Sequence, residues 1–177
     1  LWIISFFIGA IGGRVSIVKF ARATASAQAV AISTQSSLAS LPAMLRGAAQ
    51  IGVHTQHSGI ILPLAVAVFR ATGPAMNLAV AIYVAVLFGV ELTPWEMAVG
   101  LAVAIAAALS SVSLPGSISF VTSIAPIAVS MGVPVAPLGL LVAVETFPDI
   151  FRALGNVVGD VAATKFAADG IDDEPAG

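Results

Sequence analysis

Residues 145–160 read ETFPDIFRALGNVVGD, and within them Glu145, Asp149, Arg152, Asn156 and Asp160 recur at spacings of 4, 3, 4 and 4. At about 100° per residue, all five fall within roughly 80° of one helical face. The rest of the segment is apolar or small. A charge at the centre of a bilayer costs on the order of 2.5–3.5 kcal/mol. Four ionisable groups on one stripe of an apolar helix therefore call for partners, water or a ligand. One account is an intrahelical ladder, because Asp149–Arg152 and Arg152–Asn156 stand at i,i+3 and i,i+4. The other is a binding site. There Arg152 forks onto a carboxylate in bidentate fashion, Asp149 takes a substrate ammonium, and Asn156 with Asp160 offers oxygens to a cation.

The composition around this stripe fixes its solvent. Of 177 residues, 59% are hydrophobic and 9% charged, with a mean hydropathy of +1.06. Soluble domains run nearer 45–50% apolar and 25% charged, and disordered chains are more polar still. The chain reads as an integral membrane protein. It has no cysteine, which excludes disulfides and thiolate metal sites. A net charge of −2 supplies no basic patch, so no nucleic-acid partner is expected. Leu1 lies inside an apolar run with no basic leader and no small-residue cleavage site, unlike a signal peptide. The chain reads as the C-terminal part of a longer protein.

A spanning helix needs about 20 predominantly apolar residues. Here the apolar segments reach that length but break. Residues 1–13 look like the end of a preceding transmembrane helix. Residues 14–51 form a hairpin: an Ala- and Ser-rich helix to 33, the tip QSSLASLP (35–42), and a short helix over 43–51. Residues 58–90 could span, but RATGP (70–74) cuts them in two. Residues 96–131 repeat the hairpin around the tip SSVSLPGS (110–117). Residues 135–166 hold the last transmembrane helix, running from about 138 with Pro148 inside it, and 167–177 form an acidic, solvated cytoplasmic tail. Non-helical backbone at membrane depth must be buried in protein or line a wet cavity. Broken helices in corresponding positions point to a transporter binding site, and helix ends at such tips suit a carboxylate. Pro-kinked spanning helices are the simpler alternative. The expected fold is all-α and integral to the membrane, with two re-entrant helical hairpins, a broken transmembrane helix and a C-terminal transmembrane helix.

Orientation follows from the basic residues. Arg14, Lys19, Arg22 and Lys165 share one side, whereas the 91–96 loop holds only Glu91 and Glu96. The positive-inside rule puts both ends of the chain in the cytoplasm. The first hairpin then enters from inside and the second from outside. Trp2 and Trp95 read as interfacial anchors, and Glu91 and Glu96 as a solvated loop. His54 and His57 form a His-x-x-His pair in a polar link, short of a third ligand for a metal. An intramembrane hydrolase finds no support, because the Ser-rich tips carry no His or Lys base. No enzymatic activity is expected.

The segment from Pro148 to Asp160 resembles the last helix of the dicarboxylate/amino acid:cation symporters, the glutamate-transporter homologues. Their pattern there is Asp-x-x-Arg-(Thr/Ala)-x-x-Asn-x-x-Gly-(Asp/Asn). The tip at 35–42 is similar to the family's Ser-rich first hairpin, and SLPGS (113–117) to its second. The resemblance implies a homotrimeric secondary transporter in the bacterial inner membrane, multi-pass, whose mobile transport domain carries an acidic amino acid or C4-dicarboxylate. It needs no cofactor beyond sodium ions or protons. The resemblance assigns Arg152 to the side-chain carboxylate, Asp149 to the α-amino group, and Asn156 to both substrate and sodium. Asp160 becomes a sodium ligand, Ser36 and Ser37 lie near the α-carboxylate, and Pro115 and Gly116 turn the second hairpin over the substrate.

One stretch departs from the pattern. The family's broken helix carries Asn-Met-Asp-Gly-Thr six residues after a Leu-Pro, while this chain has Leu62-Pro63 and then FRATG (69–73). Ala153 also replaces a frequent threonine. Two accounts of Arg70 stand open: a cation surrogate, its guanidinium replacing at least one sodium and pairing with Asp160 or the substrate, or a side chain that reaches a water-filled cavity or the lipid interface by snorkelling. On the first account, coupling passes to protons, through Glu145 or Asp149, or to fewer sodium ions. A degenerate, non-sodium-coupled or channel-like relative of the same fold is the alternative.

Overall fold

The computed structural model describes residues 2–68, 72–110 and 117–172. Their regular structure is helical throughout, with no strand among them, as the all-α expectation required. The chain divides into two units, residues 1–70 with 150–177, and residues 71–149.

The first unit is built on a hairpin. Helix α1 covers Trp2–Gly12, α2 Ile17–Thr34, α3 Leu41–Gln50 and α4 Thr55–Val68, and the long α9, Thr146–Asp172, belongs to this unit from Ile150 onward. Ser16 starts α2 as an N-cap, its Oγ accepting the Lys19 N–H at 3.3 Å. Gln35 ends α2 in the left-handed conformation (φ 52°), its N–H donating to the Ala31 carbonyl at 2.8 Å. Helix α3 then opens with Pro42 in its first turn, where a missing N–H is harmless, two residues earlier than the sequence suggests. Small residues let α2 and α3 approach closely: Ala23, Ala27, Ala31, Ala43 and Ala48 are buried. A Cβ built on Gly47 would lie 2.3 Å from the Ala23 carbonyl oxygen. Phe20, Met44, Leu62, Val157, Val158 and Val161 fill the core of the unit. Helix α1 joins it through a polar chain. The Trp2 indole N–H donates to Gln28 Oε1 at 3.1 Å, and Gln28 Nε2 donates to the buried Thr24 hydroxyl at 3.0 Å. Trp2 is thus half-buried and packs edge-on against Phe6 and Phe151, rather than standing free as an anchor.

In the second unit, α5 (Thr72–Leu87) packs on α6 (Pro94–Ser110) and α7 (Ser117–Ser130), the two arms of a helical hairpin. Val84, Ile124, Ile127, Met131 and Leu138 make its core, the last from the short α8, Leu138–Leu141. Glu96 is more than a solvated loop residue. Thr93 and Glu96 close a capping box on α6: Glu96 Oε2 accepts the Thr93 N–H at 2.7 Å, and Thr93 Oγ1 accepts the Glu96 N–H at 3.3 Å.

One hydrogen-bonded closure ends four helices, and three of them share a sequence. Ala48–Val53, Ala85–Val90 and Ala128–Val133 each run Ala-x-x-x-Gly-Val, with the valine N–H returning to the alanine carbonyl at 2.8–3.0 Å. The glycines take φ of 88°, 66° and 69°, the left-handed turn of a Schellman closure. Residues 10–15 make the same closure, Val15 N–H to Ala10 carbonyl at 3.0 Å, but Arg14 holds the left-handed position at φ 49°. A side chain there costs about 1 kcal/mol.

Three expectations change. The last helix is not continuous from 138 with an internal proline: α8 gives way to a 3-10 turn, Val142–Val144, and Pro148 stands in the first turn of α9. The tail does not begin at 167, because α9 continues to Asp172, with Lys165 paired to Asp169 one turn on. Of the supposed break at 70–74, Thr72, Gly73 and Pro74 already belong to α5, and residues 69–71 lie outside the described residues, as does the second tip at 111–116. Much of the surface is apolar. Ile3, Ile8, Ile11, Leu64, Val86 and Leu140 are all exposed, more than a monomer in water tolerates. The stretch Thr55–Leu87, 33 residues, is long and apolar enough to cross a membrane.

Candidate functional site

The polar stripe enters the first unit on α9, and the packing of that helix decides its setting. Ala153, Leu154, Val157, Val158 and Val161 join the core shared with α2, α3 and α4. Asn156 and Asp160, on the polar side, are 5% and 1% exposed. Helix α9 is thus enclosed on both faces from 153 to 158, which keeps the amide and the carboxylate away from any apolar solvent. Arg152, one turn before Asn156, is half-buried. The Asp160 carbonyl also accepts the Thr164 hydroxyl at 2.7 Å. An amide and a carboxylate one turn apart present oxygens of the kind a hard cation takes.

The first tip folds on its own hydroxyls. Ser36 Oγ accepts the Ala39 N–H at 3.2 Å, and the Ser36 carbonyl accepts the Ser40 hydroxyl at 2.9 Å. The Ser37 carbonyl accepts the Ser40 N–H at 3.1 Å. Serines compete for backbone groups in this way at turns and caps. Ser37 is 6% exposed and Ser36 half-buried. Ser36, Ser37, Arg152, Asn156 and Asp160 therefore all belong to one packed unit. Asp149 precedes them on the first turn of α9, where a negative charge suits the helix start. Its N–H donates to the Glu145 carbonyl at 3.0 Å. Glu145 stands just before α9, and its Oε2 is shut off from solvent with no hydrogen-bond partner among the described residues. Pro115, Gly116 and Arg70 lie outside the described residues.

Several buried polar residues were not singled out from sequence. Ser40 is fully buried and pins the tip, and a serine just before Leu-Pro at a helix start was the available signal. Thr24, Ser58 and Thr164 are buried in the first unit, and Thr72 and Asn77 on α5 in the second. Among hydrophobic neighbours, single hydroxyls and amides give no periodic pattern to find. The His54 and His57 rings meet edge-on at 6.1 Å, and no group of three or more metal-ligating side chains occurs among the described residues.

The model of the sodium:dicarboxylate symporter family matches residues 1–169. Three relatives are each named C4-dicarboxylate transport protein. That of Cupriavidus necator is 31% identical over 150 residues, covering 84% of this chain and 34% of the relative. That of Laribacter hongkongensis is 29% identical over 169 residues, covering 92% and 38%. That of Xylella fastidiosa is 32% identical over 152 residues, covering 84% and 33%. The chain spans about a third of the length of the curated relatives it matches. With a match over nearly its whole length, the chain belongs to the sodium:dicarboxylate symporter family.

Proposed function

We propose that this chain forms the substrate-holding part of a cation-coupled secondary transporter for four-carbon substrates with two carboxylates. The observation that carries the reading is the burial of Asn156 and Asp160 on α9, one turn and two turns beyond Arg152, in the unit that also holds the serine tip. A carboxylate and an amide enclosed by protein are what an intramembrane binding site needs. Arg152 takes one carboxylate bidentately, and the tip at Ser36 and Ser37 takes the other with hydroxyl and backbone groups. Asn156 and Asp160 hold the coupling cation. The names of the relatives support C4-dicarboxylates as substrates. Asp149 supports a second reading, an acidic amino acid, because its carboxylate would pair with an ammonium.

In this scheme both hairpins are re-entrant, both ends of the chain face the cytoplasm of a bacterial inner membrane, and the complete protein is a homotrimer working by alternating access. From sequence, Arg70 replaces part of the cation site, which shifts coupling toward protons or fewer sodium ions. Uptake of labelled succinate, malate and aspartate into proteoliposomes tests the reading, with sodium and proton gradients imposed separately. Arg152→Lys keeps the charge but loses the fork, and substrate binding should weaken at least about 10-fold, as expected for losing one charge-assisted hydrogen bond of about 1.5 kcal/mol or more. Unchanged affinity in that variant would remove Arg152 from the site. Saturable aspartate uptake that Asp149→Ala abolishes, while succinate uptake survives, would select the amino-acid reading.

A further inference from the structure

The outer face of the first hairpin carries charge that the rest of its unit does not balance. Where α2 and α3 touch, Ala23 meets Gly47. In an antiparallel pair of helices, the residues just before each contact point leave on the same side of the seam. Arg22 and Arg46 are those residues, and both are exposed. The helical period adds Lys19, Ser26 and Ser33 of α2 and Gln50 of α3 to that face, and these are exposed as well. None of Lys19, Arg22 and Arg46 forms an ion pair with a described residue. Of the carboxylates described in this unit, Asp160 is enclosed and Asp169 is taken by Lys165. Three cations therefore stand without a counter-charge among the described residues, at the base of a hairpin whose tip holds Ser36 and Ser37. The face also differs from the surface of α1, which exposes Ile3, Phe7, Ile8 and Ile11. Serines and cations suit water, not lipid.

We propose that this face is an electrostatic approach for the substrate, in which Lys19, Arg22 and Arg46 draw a dianionic dicarboxylate from the cytoplasm onto the hairpin and toward its tip. Dicarboxylate binding and the cytoplasmic position of the hairpin base are taken from the proposed function; these three residues add to it the rate of capture, not the fit of the bound substrate. Helix α2 rises about 1.5 Å per residue, which puts Arg22 about 20 Å from the tip. The Debye length is about 30 Å at 0.01 M salt and about 3 Å at 1 M. The pull thus extends along the whole hairpin in dilute salt and along almost none of it in concentrated salt. Clefts lined by one sign of charge raise association rates by about 10- to 1,000-fold. A substrate with two carboxylates feels twice the attraction of one with a single charge, so the face favours dicarboxylates before they reach Arg152.

The test is the association rate of succinate with the complete protein in uncharged detergent, read by stopped-flow tryptophan fluorescence at fixed sodium, with choline chloride setting the ionic strength. In dilute salt, a variant combining Lys19→Gln, Arg22→Gln and Arg46→Gln should associate about 10-fold more slowly than the parent. With monomethyl succinate, which carries one charge, the loss should be about 3-fold, the square root of that for the dianion. At about 1 M salt, parent and variant should converge. A second variant that keeps every charge, Lys19→Arg with Arg22→Lys and Arg46→Lys, should retain the parent rate, because steering uses charge and not shape. A loss in that variant overturns the proposal, as does a loss in the first variant that survives concentrated salt. Equal rates for the parent and the first variant in dilute salt also overturn it, and would mean that other parts of the protein cover the face. A deficit that appears only when phosphatidylglycerol is added back would overturn it by assigning the cations to the lipid surface. Absence of dicarboxylate binding by the parent would sink the proposed function and steering together, whereas binding at equal rates sinks steering alone.

Discussion

The contact between α2 and α3 makes opposite predictions for one chemical change at two glycines. Gly47 faces the α2 backbone, and a Cβ there would sit 2.3 Å from the Ala23 carbonyl oxygen and 3.1 Å from its carbon. Ordinary contact begins near 3.4 Å, so the helices must part by about 1 Å. A main-chain oxygen cannot rotate aside as a side chain would. Parting the seam also loosens Ala27, Ala31, Ala43 and Ala48, which are buried in the same cluster. Overpacking of this kind costs about 1–3 kcal/mol. Gly59, within α4, has nothing within 4 Å of the corresponding position. Replacing glycine by alanine inside a helix gains about 1 kcal/mol of propensity at either site. That gain cancels when the two variants are compared, and the difference between them is the cost of the close approach alone. Gly59→Ala should raise the melting temperature, and Gly47→Ala should melt lower than Gly59→Ala by about 2–12 °C, at 2–4 °C per kcal/mol. Thermal unfolding of the two purified variants, followed by far-ultraviolet circular dichroism under identical detergent conditions, reads this directly. Equal shifts for both variants would refute the seam as described.

Ser40→Ala removes the bond from its hydroxyl to the Ser36 carbonyl, 2.9 Å long in a fully buried residue, and should lower stability by about 1 kcal/mol, read as a drop in melting temperature together with weaker substrate affinity. A normal tip with normal affinity in that variant would separate Ser40 from the site. Asp160→Asn keeps the buried shape but removes the negative charge, so the dependence of substrate affinity on cation concentration should flatten; a slope unchanged from the parent places the cation elsewhere. The Thr93 N–H, and then the Thr93 hydroxyl, hold the Glu96 carboxyl below the ordinary 4.5 of a glutamate. A lowered folded value means the capping box contributes fully above pH 4.5 and loses its contribution as the pH falls through the folded value. Glu96→Gln should therefore flatten the acid side of the stability profile of α6, measured by hydrogen exchange at its first turn, and an unaltered profile would show the box to be without effect.

The charged stripe was legible because ionisable residues stand out against an apolar helix, and their spacing alone placed them on one face. Ser36 and Ser37 were legible because polar residues followed by Leu-Pro interrupt an otherwise continuous apolar run. The interruption before α9 was not. From Leu138 to Val144 every residue is apolar or glycine, and such a run looks the same whether it winds as an α-helix or tightens to a 3-10 turn. Pro148 then passed for an internal kink, although a proline sits equally well in a first turn. The true end of α9 was hidden by charge: Asp169 and Asp172 resemble a solvated tail until Lys165 is seen to pair with Asp169 four residues on. The Thr93–Glu96 box follows a recognised spacing, but two glutamates in a short loop suggested only solvent. Which faces of α4 to α7 are buried could not be read from sequence, because helices in an apolar solvent are apolar all round.

The polar chain from Trp2 through Gln28 to Thr24 couples an indole ring to the long arm of the first hairpin. The two tryptophans of this chain occupy opposite environments, Trp2 half-buried and hydrogen-bonded and Trp95 76% exposed. Indole emission shifts with polarity and with hydrogen bonding at the ring nitrogen. With Trp95 replaced by phenylalanine, Trp2 becomes this chain's own optical gauge of whether α1 and α2 stay locked together while the hairpin works.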